Sequence, residues 1–207
     1  MSWDFLAGSP FWALVGVIVG SALTTLKDVY LDHRKQSRDG RYAALRLVAI
    51  FELYAEACLE VARDDGETVL TENGWDERVP AVDRPLLGTL PQDIDWKALD
   101  VDLTYRVLRF PVRIAECERS IQFMFSEVAA PPDYDEGFEE RQIRYAELGL
   151  EARKLADDLR RTHKLPTEEA EGPIDALGAL ATGINKAREQ RRVTQASATS
   201  LFDEKVP

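Results

Sequence analysis

The chain has 207 residues, 45% of them apolar, and a formal charge of -11. A surface that acidic repels phosphate backbones, which excludes a nucleic-acid partner, and the length holds one substantial core rather than two large domains. Its two cysteines, Cys58 and Cys117, are too few and too far apart for a disulfide framework or a zinc knuckle.

Residues 5–26 carry no charged side chain, and at about 1.5 Å per residue a helix of that length reaches across a hydrocarbon core of about 30 Å. The leader MSWDFLAGSP lacks Lys and Arg and contains Asp4, which does not fit a cleaved signal peptide. Lys27, Arg34, Lys35, Arg38, Arg41 and Arg46 follow the apolar run. A basic collar on that side predicts a signal anchor: a single pass through the inner (plasma) membrane, N-terminus outside and the remainder in the cytoplasm. The same six cations are placed to meet anionic lipid headgroups. Trp3, Phe5, Phe11 and Trp12 on one flank and Tyr30 on the other suit the membrane interface. Gly16, Gly20 and Thr24 recur at every fourth position, a small-residue ridge through which two such helices approach closely. The expected partners are therefore the lipid bilayer, a second copy joined through the membrane helix, and a protein whose identity the sequence does not reveal.

Beyond the collar the pattern stays helical through "AALRLVAIFELYAEACLEVARDDG", with Glu52, Glu56 and Glu60 as its one polar stripe and Gly66 as a stop. Three carboxylates make a second membrane span there too costly. Residues 66–92, rich in Pro and Gly, read as a long irregular connection, with Trp75, Leu86 and Leu87 packing down over the bundle. Asp or Gln caps in "LPQDIDWKALD" introduce a short helix. Leu103, Val107, Phe110, Ile114, Cys117, Ile121, Met124 and Val128 then alternate at spacings of four and three, an a/d seam like that of a coiled coil, with Pro111 predicting a kink inside it. A third helix is expected over 135–163, facing inward with Phe138, Tyr145, Leu148, Ala152, Leu155 and Leu159, and a fourth over 173–192.

The predicted fold class is all-α: an N-terminal transmembrane helix continuing into a cytoplasmic four-helix bundle. Its parts are an anchor over 1–26, the collar and first bundle helix over 27–65, the rest of the bundle over 66–192 and a disordered tail over 193–207.

Chemistry is sparse. His33 and His163 are the only histidines, neither has Glu three residues before it, and no phosphate loop, dinucleotide fingerprint, nucleophile elbow or zinc-protease motif occurs. No catalytic residue, cofactor or metal ligand is assigned. Asp93, Asp95, Asp100 and Asp102 are spaced to share a divalent cation, yet helix capping accounts for them more simply. The reading is a non-catalytic membrane protein that presents an acidic helical bundle for protein interaction or self-assembly. The alternatives are a membrane-tethered metal-dependent enzyme using the acids at 93–102 and an oligomeric pore or effector.

Overall fold

The structure, a computed structural model, describes residues 10–72, 74–166, 177–179, 182, 183 and 186, and the side chains of 10–16, 19 and 22 are outside that description. Three long helices dominate the described residues: α1 (Pro10–Ala62), α2 (Val101–Phe123) and α3 (Asp135–His163), with a hairpin, β1 (Glu67–Leu70) and β2 (Asp76–Val79), between the first two.

The second half of α1 builds the body. Gly40, Ala44, Leu47, Phe51, Tyr54, Cys58 and Val61, alternating at spacings of four and three, are all buried, because at 3.6 residues per turn that spacing keeps one face toward a neighbour. Glu56 and Glu60 of the acidic stripe face solvent, whereas Glu52 accepts hydrogen bonds from Arg153 (2.8 Å) and Arg160 (2.7 Å) and ties α1 to α3. The helix ends where Asp64, Asp65 and a left-handed Gly66 (φ 77°) turn the chain away.

Asp100 caps α2 by accepting from the backbone N–H of Asp102 (3.0 Å) and Leu103 (3.1 Å). The expected seam is buried from Leu103 to Ile121, and the helix runs unbroken through Pro111, which sits on its exposed side. The last turn, Met124–Val128, is a π-turn. Its extra residue shifts the phase of the seam, so Met124 is half-buried and Val128 is exposed.

α3 is the central helix, buried on most of its circumference. Asp135 and Glu136 lie in its first turn and Arg160, Arg161 and His163 in its last, as the helix dipole favours. The ring of Phe110 meets Phe51 and Tyr54 edge to face at 5.3 and 5.5 Å, closing the core between α1 and α2.

Three expectations are corrected here. Among the described residues no helix is long and apolar enough to cross a membrane. The uncharged run is diluted by Ser21, Thr24 and Thr25 and meets Lys27 and Asp28. The single-pass inner-membrane placement and the N-out topology fall with the span. The connection over 66–92 is not wholly irregular, since β1 and β2 pair antiparallel, Glu67 opposite Val79 and Leu70 opposite Asp76. Within it, Val82, Leu87 and Leu90 pack on the core, while Trp75 and Leu86 are exposed. The fourth helix falls largely outside the described residues, although Leu177 is buried beside Ala62 and Ala146; the tail over 193–207 lies wholly outside them.

Candidate interaction surface on the first helix

α1 is far longer than the body it serves. The body ends where the Gln36 side chain donates to the Lys97 carbonyl (3.3 Å), where Gly40 faces the Ala98 carbonyl and His163, and where Arg41 reaches the Lys164 carbonyl (3.5 Å). Residues 10–39 extend past that point, about 45 Å of helix. Every described side chain from Val17 to Arg38 is exposed.

This stalk is not a uniformly solvated surface. Val17, Ile18, Leu23, Leu26, Val29, Tyr30 and Leu31 are all exposed, Leu26 at 67% and Tyr30 at 65%. Leu23, Leu26 and Tyr30 continue, at spacings of three and four through His33 and Ser37, the same face that Gly40, Ala44, Leu47 and Phe51 bury in the body. The seam thus passes out of the body without α2 or α3 to cover it. Burying each of its Leu side chains is worth about 1.5–3 kcal/mol. The repeat was present in the sequence, hidden beneath the membrane reading of the same residues.

The small-residue ridge lies beside that seam. A Cβ placed on Gly20 would meet nothing within 4 Å, and Thr24 turns its hydroxyl back to the Gly20 carbonyl (2.9 Å). Neither is packed in this chain; the side-chain surroundings of Gly16 lie outside the described residues. The six cations of the collar do not form one group. Lys27, Arg34, Lys35 and Arg38 stand on the stalk, Arg38 near Asp39 (3.8 Å), whereas Arg41 is bonded at the junction and Arg46 grips both oxygens of Asp93 at 2.7 Å.

The acids at 93–102 are distributed in the same way. Asp93 answers Arg46, which draws its carboxyl below the usual range. Asp95 accepts from the Lys97 N–H (3.0 Å) at a short 3-10 turn over Trp96–Ala98, Asp100 caps α2, and Asp102 sits in the first turn. Among the described residues no group of three His, Cys, Asp or Glu side chains is arranged to hold a metal. His33 is exposed on the stalk. His163 is half-buried at the junction, and burial pulls its pKa below the ordinary value against the opposing charge of Asp100. Cys58 and Cys117 are free and buried, and burial pushes the Cys58 thiol up to about 12, out of the range of a nucleophile.

The most heavily bonded charges are structural. Asp64 accepts from the N–H of Gly66 (2.8 Å) and Val82 (3.0 Å) and from the Arg141 guanidinium (2.7 Å), which also donates to the Val82 carbonyl (2.5 Å). Burial would raise the Asp64 pKa, but the Val82 and Gly66 donors and Arg141 together lower it. This pair fastens both ends of the hairpin segment to α3. No family model, curated protein or solved structure matches the chain.

Proposed function

We propose that the protein is a non-catalytic assembly module that pairs with a second copy of itself through the exposed half of α1. The observation that carries this reading is the continuity of the seam: the face buried from Gly40 to Val61 runs on through Tyr30, Leu26 and Leu23 with no cover. A helix face with that repeat is matched by another helix with the same repeat, and a copy of the chain supplies one. The flanking charges favour a parallel pair. Lys27 and Arg34 flank one side of the seam, and Val29 and Gln36 the other. An antiparallel pair sets Lys27 against Arg34 of the second copy, whereas a parallel pair sets Arg34 beside Val29.

Cysteine cross-linking tests the reading, because both native thiols are buried. Oxidation of a Leu26→Cys variant should give a disulfide-linked dimer within minutes at micromolar protein, and Asp28→Cys, on the opposite face, should not. Equal yields from the two variants, or none from Leu26→Cys, would defeat it.

A further inference from the structure

We propose a binding site for a small monoanionic organic acid with an apolar body, such as an aryl carboxylate, in the cleft between α2, α3 and the chain leaving β2. The cleft measures about 440 Å³, within the ~300–1,000 Å³ of small-ligand sites. Ile121 and Tyr145, both buried, and the half-buried Phe125 form an apolar floor. Arg84, Glu118 and Arg119 stand at the rim.

The charge balance selects the ligand. Arg141, in the cleft's depth, is answered by Asp64 at 2.7 Å, and Arg84 lies 3.7 Å from Glu118. Arg119 is exposed and has no hydrogen bond or ion pair among the described residues. One unanswered guanidinium in a chain of charge -11 leaves room for a single negative charge, and Glu118 at the same rim opposes a second. The guanidinium fork matches the two oxygens of a carboxylate. Two further observations point into the same place. Tyr145 is 3% exposed, lines the floor, and its hydroxyl has no hydrogen-bond partner among the described residues. Phe125 belongs to the π-turn that ends α2, an irregularity common where helices serve a ligand.

Isothermal titration of the full chain with 2-naphthoate, and with its neutral counterpart 2-naphthamide, tests the site. Naphthoate should bind at one site per chain. Arg119→Ala should weaken it at least tenfold, Tyr145→Phe a few-fold, and naphthamide should bind at least tenfold less tightly. Glu118→Gln should tighten naphthoate binding. Because Arg119 and Arg84 are exposed, the melting temperature of their alanine variants should stay at the parent value. If naphthoate fails to saturate at millimolar concentration, if Arg119→Ala binds as the parent does, or if the amide binds as well as the acid, the proposal is overturned. Should Arg119→Ala unfold the chain, unchanged binding by Glu118→Gln and Arg119→Lys would overturn it equally. The site does not involve the stalk, so its failure leaves self-association standing.

Discussion

At the scale of single residues, Asp64 is the most consequential side chain of the body. It serves four partners at once, Gly66, Ala81, Val82 and Arg141, in a nearly dry setting. Asp64→Ala strands a buried guanidinium and the backbone donors together, so it should cost about 3–5 kcal/mol in urea denaturation. Arg141→Met leaves Asp64 its backbone donors and should cost less; the reverse order would show that the pair is not organised around the carboxylate. The sign of the pH effect follows from the lowered pKa of Asp64 and of Asp158, which burial raises but which Arg106 at 2.6 Å brings down. Their stabilisation is complete above the unfolded carboxylate pKa of about 3.9 and is lost as pH falls through the lower folded values. Acid unfolding of Asp64→Asn should accordingly show a shallower loss of stability below about pH 4 than the parent. Gly40 is a second such position, for steric reasons. A Cβ there would lie 2.5 Å from the Ala98 carbonyl oxygen and 3.0 Å from His163 Cε1. Gly40→Val should destabilise the junction by about 1–3 kcal/mol, read from the thermal midpoint.

At the scale of elements, the hairpin is held by contacts no local pattern announces. Arg78 on β2 donates to the Asp65 carbonyl (2.5 Å) and to Asp135 (2.9 Å), and its guanidinium lies 4.1 Å over the Phe138 ring. Arg78→Ala should therefore free β1 and β2, accelerating exchange of their amides and costing roughly 2–3 kcal/mol; protected amides in the variant would refute that role. The bounds of α3 and the buried set of α2 were legible because their apolar spacing is strict over several turns and nothing competes with it. β1 and β2 were not. Their strand residues "ETVL" and "DERV" show no inward alternation, since the hairpin is largely exposed and depends on Arg78, Phe138 and the close approach of Gly66 to that ring. The one local signal was the Asn-Gly dipeptide in the sequence between them, of which Gly74 takes φ 77°. The π-turn was hidden for a related reason, since the apolar spacing through Met124 and Val128 is intact and only the backbone slips. The reading of α1 as a membrane anchor followed hydropathy, the basic collar and the flanking aromatics, whereas the heptad phase shared by Leu23, Leu26 and Tyr30 with Leu47 and Phe51 carried different information in the same residues.

At the scale of the whole molecule, the described residues combine a body built on three long helices with a bare helical stalk, in a chain of charge -11. A parallel pair brings two bodies of like charge together at one end, so their repulsion opposes the attraction along the seam. Raising ionic strength from 0.01 to 0.15 M shortens the screening length from about 30 to about 8 Å. Self-association should therefore strengthen over that range, measured as a falling dissociation constant; weakening would mean that charge pairs rather than apolar burial hold the copies together. The most direct test of the central claim is the solution mass of the full chain by sedimentation equilibrium, set beside a Leu23→Asp, Leu26→Asp variant. The parent should sediment at a multiple of 23.3 kDa and the variant at 23.3 kDa, with the helical content of the body retained in both. A parent that stays at the mass of one chain at every concentration, or a variant that remains associated, would contradict assembly through the exposed half of α1.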